Sequence, residues 1–175
     1  MKSLVRAGAA ATLVLGSIAV AGPPASAAQQ CWGSSYSGRC ITTSSIVRHS
    51  TVVEQVPLTN SSKYTVTMNC GFTTTISRSY ANSVSLTASI KASVWGVAEA
   101  SISGTQQQTL TQTATQATTA GGSVKLPPGG KVICQRVYGY YTMKTNVGEW
   151  SGTTSSSKTF TTTVPYSFGV TIKNG

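Results

Sequence analysis

From Val84 to Gly104 every even-numbered residue is apolar or small: Val84, Leu86, Ala88, Ile90, Ala92, Val94, Gly96, Ala98, Ala100, Ile102 and Gly104. The odd positions are Ser, Thr, Lys or Glu except for Trp95 and Val97. Period two is the mark of a strand with one apolar and one polar face. This run is about twice as long as an ordinary strand of about 3–10 residues. A shorter alternation, Tyr64, Val66, Met68, Cys70 and Phe72 against Thr65, Thr67, Asn69 and Gly71, predicts a strand over Tyr64–Ser79, with a bulge at Gly71. Threonines on alternate positions predict a polar strand within Thr105–Thr119, before a turn at Ala120-Gly121-Gly122. One or two strands are expected over Ile41–Leu58, followed by a turn at Asn60-Ser61-Ser62. Leu126-Pro127-Pro128-Gly129-Gly130 is the strongest turn signal, and it launches an aromatic strand over Lys131–Lys144. A loop around Trp150 (Val147–Ser157) and strands over Lys158–Val164 and Tyr166–Ile172 complete the chain. Helix signals are almost missing. The pattern predicts an all-β fold, an elongated antiparallel sheet or sandwich of long Ser/Thr-rich strands.

Residues 1–27 stand outside this pattern. Lys2 and Arg6 precede an apolar run, Gly22-Pro23-Pro24 breaks it, and Ala25-Ser26-Ala27 supplies a small-x-small cleavage signal. A secretory leader is expected there, with Ala28–Gly175 exported and extracellular, divided into an N-terminal disulfide loop and cap (28–60) and a β domain (61–175). No other apolar run approaches the ~20 residues of a membrane-spanning helix.

The net charge of +10, of which Lys2 and Arg6 lie in the leader, directs the chain toward anionic partners such as lipid headgroups or envelope polymers. Export makes nucleic acid a poor fit. Cys31, Cys40, Cys70 and Cys134 are an even count, which in an exported chain implies two disulfides. Of the three pairings, spacing favours Cys31–Cys40 and Cys70–Cys134. Cys31–Cys40 encloses Trp32, Tyr36 and Arg39, an aromatic–Arg cluster that, with Trp150, makes a candidate partner or glycan contact. Asn60-Ser61-Ser62 matches a glycosylation acceptor, read here as coincidence.

Catalytic chemistry finds little support. His49 is the sole histidine and aspartate is absent, so no Ser-His-Asp triad can form. Glu54, Glu99 and Glu149 lie in different segments, which argues against a paired-carboxylate site. Ligands for zinc or calcium are too few, and no phosphate-cradling glycine motif is present. No catalytic residue, metal, cofactor or small-molecule substrate is expected.

The order of these parts resembles the aerolysin-like β-pore-forming family, in particular its epsilon-toxin and mosquitocidal-toxin branch. The residues that carry the likeness are the Thr/Ser-rich Tyr64–Ser79, the alternating Val84–Gly104, the Thr-rich Thr105–Thr119, and the proline turn Val124–Val132 running into Val137-Tyr138-Gly139-Tyr140-Tyr141. The resemblance spans about residues 60–172. It implies that Val84–Gly104 is a membrane-insertion hairpin, with Val84, Leu86, Ile90, Val94, Val97 and Ile102 as the insertion or interface residues and Trp95 near its tip. Unbroken parity requires an odd number of turn residues, or else one long strand; the sequence leaves both open. The apolar face departs from the family pattern in its many Ala and Gly positions.

Two further readings use the same strands. A small exported β domain can serve as an adaptor subunit of a multi-protein antibacterial particle, as in umbrella-type toxins, which it resembles in size and export alone. Such an adaptor would bind larger proteins through an exposed strand edge or N-terminal arm. Alternatively, Trp32, Tyr36, Trp150 and the Tyr138–Tyr141 cluster make a carbohydrate- or wall-binding module. The expected partners are therefore other protein subunits, in a homo-oligomer or a heteromeric toxin complex, and a target membrane or anionic envelope.

Overall fold

The computed structural model describes residues 28–106, 110–118 and 121–175. The expected leader, part of the Thr/Gln tract and Ala120 of the glycine turn lie outside the described residues. In chain order the elements are β1 (Ala28–Gly33), β2 (Ser37–Thr59), β3 (Val66–Asn69), β4 (Ile76–Ser79), β5 (Ala81–Asn82), α1 (Ala88–Gln106), β6 (Thr113–Gln116), β7 (Ser123–Leu126), β8 (Lys131–Ser151) and β9 (Thr154–Asn174). The antiparallel all-β architecture holds, with one helix added to it.

Three strands of 21–23 residues, β2, β8 and β9, form the body. They lie in one antiparallel sheet ordered β1-β2-β8-β9-β5, and β8 pairs along its length with both neighbours. Residues 28–60 supply β1 and β2, so this stretch contributes an inner strand of the sheet as well as its disulfide-closed end. Two disulfides form, Cys31–Cys40 between neighbouring strands and Cys70–Cys134 between distant ones. Such bonds fit an oxidising, extracellular compartment. No helix among the described residues is long and apolar enough to cross a membrane, which bears on helices only.

Several expected boundaries are corrected. Of the one or two strands expected over Ile41–Leu58, one is present, bent by bulges at Ser44/Val47 and Val52/Glu54. The loop around Trp150 is a tight hairpin: Ser151 pairs with Thr154, and Gly152 at φ 60° makes the two-residue turn. Lys158–Val164 and Tyr166–Ile172 are likewise one strand, and Pro165 is accommodated at a register shift opposite Gly139/Tyr140. Tyr64–Ser79 divides into β3 and β4, and the polar strand shortens to β6. The largest correction concerns 84–104, where most of the expected strand is α1.

Asn60 anchors the proline turn. Its buried amide donates to the carbonyls of Tyr64, Leu126 and Pro127 at 2.8–2.9 Å, while its backbone bonds to Gly129 and Gly130. A side chain so engaged is no glycan acceptor.

Alternation along β8 sends its even residues to one face and its odd residues to the other. The short ladders β3–β7 and β4–β6 cover the even side at Cys134 and Arg136, and α1 covers the odd side at Tyr141, Met143 and Val147. The chain passes between faces at β5, against the edge of β9.

Arg136 clamps the ribbon. Fully buried, it donates to the carbonyls of Thr74 (2.7 Å) and Ala117 (3.2 Å), one on each arm, and its guanidinium lies 4.3 Å over the Phe72 ring. Its counter-charge is Glu54 at 3.3 Å, whose other oxygen accepts from the Thr73 hydroxyl and amide at 2.6 and 2.8 Å. Those Thr73 donors, with a smaller contribution from Arg136, hold the Glu54 carboxyl below its ordinary value.

A depressed folded-state pKa stabilises the fold above the unfolded value, about 4.3 for Glu, and that contribution fades as pH falls through the folded value. With only three acids in the chain, the acid limb is assignable. The thermal midpoint should therefore be level from about pH 7 to 5 and fall below about pH 4. Glu54→Gln should lower the plateau and flatten that fall; a melt series across pH with both proteins reads it.

Candidate functional site

Two places bring the candidate residues together. The first is the outer end of the sheet. β1 and β2 are joined by a turn in which the Ser34 amide bonds the Ser37 carbonyl at 2.7 Å, and the Cys31–Cys40 bond clamps its base. The β8–β9 turn lies alongside, tied by the Gly152 amide to the Tyr36 carbonyl at 2.7 Å.

Register then aligns a row across four strands: Trp32 opposite Arg39, Arg39 opposite Glu149, Glu149 opposite Ser156. Neighbouring strand backbones lie ~4.8 Å apart, and from them an indole, a guanidinium, a carboxylate and a hydroxyl follow in turn. Arg39 Nε donates to Glu149 Oε1 at 2.8 Å and Nη2 lies 2.6 Å from the same oxygen. Both side chains stay partly exposed, so the pair is open to solvent and to ligand.

On the opposite face, the Trp150 indole lies across the Gly38 backbone and donates from Nε1 to the Ser34 carbonyl at 3.0 Å. A Cβ on Gly38 would come within 2.2 Å of that ring, so glycine is required for the approach. Trp32 is 44% exposed and Tyr36 71%. An open cleft of about 500 Å³ runs past Trp32, Arg39, Glu149 and Trp150, and a second, about 380 Å³, adjoins it beside Cys40, Glu149 and Trp150.

Trp32, Tyr36, Arg39 and Trp150, far apart in sequence, thus meet at one end of the molecule. Sequence reasoning missed Glu149 as their partner. Reading Trp150 as lying in a loop hid the strand register that sets Glu149 opposite Arg39.

The second place is the underside of α1. Thr87 precedes the helix, and its carbonyl accepts from the Lys91 amide at 2.9 Å, the first helical bond. Val94, Val97, Ala98, Ser101 and Ile102 are buried, the 3.6-residue face of a helix seated on a sheet. Val84, Leu86, Ile90 and Trp95 pack partly buried against the same cluster, and Trp95 meets Tyr80 edge-on at 5.2 Å. Every insertion-strand candidate therefore lies in this core. Ala92, Gly96, Ala100 and Gly104 face solvent.

A sequence signal for the helix was present. Ile90, Val94, Val97, Ala98 and Ile102 stand at i, i+4, i+7, i+8 and i+12, the spacing of a helix face.

The seat of the helix is partly hydroxylic. Thr43, Thr145 and Thr162 are fully buried. Thr43 pairs with Ser101 at 2.7 Å and Thr145 with Thr162 at 2.7 Å, while Thr162 donates to Asn82 at 2.9 Å. Elsewhere, His49 stacks on Tyr140 at 5.0 Å with Nε2 2.7 Å from the Thr142 hydroxyl. Glu54 and Glu149 face different arginines. Among the described residues no group of three or more His, Cys, Asp or Glu is placed to hold a metal ion.

Comparison with family models, curated proteins and solved structures gives no match.

Gly38→Ala should displace Trp150 and cost about 1–3 kcal/mol, as overpacking does. Denaturant melts measure the loss, and tryptophan emission should move to longer wavelength.

Proposed function

We propose that the protein is a secreted, aerolysin-like pore-former in which α1 and its flanks unfold into a membrane-inserting β-hairpin. The observation that carries this reading is the register of the ribbon. Val66 pairs with Leu126 and Asn69 with Ser123; after a gap, Ile76 pairs with Gln116 and Ser79 with Thr113 in the same register. The Tyr80 amide to the Gln112 carbonyl, 2.8 Å, adds one more rung.

Continued inward, this register sets Ala88 opposite Gly104, Ile90 opposite Ile102, Ala92 opposite Ala100 and Val94 opposite Ala98, leaving Trp95-Gly96-Val97 as the turn. Even residues oppose even residues throughout. The turn length is odd, as unbroken parity requires, and glycine is at its centre. One face is then apolar over the nine residues Leu86–Val94 and the seven of Ala98–Gly104, against the ~9–11 residues that a barrel strand needs. The other face carries Ser, Thr, Lys91 and Glu99, with the two charges diagonal neighbours across the strands.

The helix is lightly held. It has no acidic residue in its first turn and no basic residue in its last, and Gly96 costs about 1 kcal/mol relative to Ala. Its stability therefore rests on tertiary packing. The hydroxyls beneath it can be satisfied by water once it leaves.

An adaptor that binds other subunits is the second reading. It is favoured by the outer edge of β2, which beyond Thr43 pairs with no strand among the described residues. Bulges and the positive φ of Ser45 blunt that edge, which is how edges are protected against pairing.

Ala92 separates the two readings, because it is exposed on the helix but lipid-facing in the hairpin. Ala92→Lys should leave monomer stability within about 0.5 kcal/mol. It should also cut dye release from anionic vesicles about fivefold or more, since lysine between the mid-plane, near Ile90, and the interface costs about 1–2 kcal/mol. Ser103→Lys, on the water-facing side, should release dye nearly as the parent does. Absence of leakage by the parent, with recovery from culture fluid only in a heteromeric complex, would overturn the pore reading in favour of the adaptor.

A further inference from the structure

We propose that the outer end of the sheet, the row Trp32–Arg39–Glu149–Ser156 with Trp150 behind it, is a binding site for a neutral saccharide. The inference goes beyond the pore reading and does not depend on it. Saccharides present an apolar C–H face to an indole, and adjacent hydroxyls that both donate and accept. The row offers the matching sequence: the open Trp32 ring, then a donor-only guanidinium, an acceptor carboxylate and a hydroxyl, each one strand further on. Vicinal hydroxyls can bridge the paired Arg39 and Glu149, while Ser151 and Thr154 add donor–acceptor groups at the cleft wall.

Charge selects the ligand class. The chain is strongly basic, but here the guanidinium is already neutralised by a carboxylate at 2.6 Å. A phosphate, sulfate or carboxylate ligand would meet Glu149 and be repelled; a neutral hydroxylated ligand meets no such penalty. An apolar peptide side chain would find a shallow, hydroxyl-lined cleft rather than an enclosed pocket.

The site is also built in advance. The Cys31–Cys40 bond, the Trp150 bond to the Ser34 carbonyl and the Gly152 bond to Tyr36 hold three connected segments together, so little ordering remains to oppose binding.

The test uses the mature protein on a printed panel of neutral, sialylated and sulfated oligosaccharides, with glycan-free vesicle leakage run in parallel. Retention on neutral glycans is expected, persisting in high salt, which would screen a charge-driven contact. Trp32→Ala and Glu149→Gln should each reduce it at least tenfold. Trp32 is exposed enough that its variant should melt like the parent. The proposal is overturned if no neutral glycan is retained, if retention is confined to sialylated or sulfated glycans, or if Trp32→Ala leaves it unchanged. Leakage from glycan-free vesicles reports the pore reading separately, so either can fail alone.

Discussion

A strand buries every second residue and a helix every third or fourth, and residues 84–104 satisfy both demands. Ile90, Val94, Val97, Ala98 and Ile102 keep the spacing of a helix face, while every even place from Val84 to Gly104 is apolar or small. As a helix the segment hides the first set against the sheet and leaves Ala92, Gly96, Ala100 and Gly104 in water, where small residues cost little. As a hairpin it would gather the even places on one face. The Ala and Gly content, which weakens the segment as a lipid-facing strand, is what makes the soluble helix tolerable.

The two ends of this system are held differently. At the base of the ribbon, Cys70–Cys134 is a covalent bond to β8, Asn60 secures the proline turn, and Arg136 grips both arms. The helix is seated by van der Waals packing, the Thr43–Ser101 hydroxyl pair and Tyr80, whose hydroxyl donates to the Lys91 carbonyl. Release would thus begin at α1, with the arms keeping their register as a template. The aromatic end of the sheet belongs to different strands and would keep its shape throughout.

Strand propensity and turn chemistry carried much of the fold. The Pro-Pro-Gly-Gly turn, the disulfide pairing and the long aromatic strand were legible because each rests on local chemistry or on few alternatives. The unity of β9 was not, since Pro165 reads as a break, and that of β2 was left open; the register shifts in the sheet show how a long strand absorbs such interruptions. The helix was missed because period two was read across all apolar residues alike. Weighting by side-chain volume separates Leu86, Ile90, Val94 and Ile102 from the alanines and glycines. At the sheet end, Trp32, Tyr36, Arg39 and Trp150 could be named from composition, whereas Glu149 emerged only from pairing. Arg136 gave no signal, since nothing local marks a basic residue for burial.

Ser89 and Ser103 distinguish the helix from the proposed hairpin. In α1 they stand fourteen residues apart, about 21 Å along the axis at ~1.5 Å per residue. In the hairpin that continues the ribbon they are directly opposed, about 5 Å apart between backbones. With spin labels at both positions, electron paramagnetic resonance should report the long distance for the protein in solution. On vesicles that are leaking, it should report strong short-range coupling. A long distance that persists while the vesicles leak would rule out the hairpin.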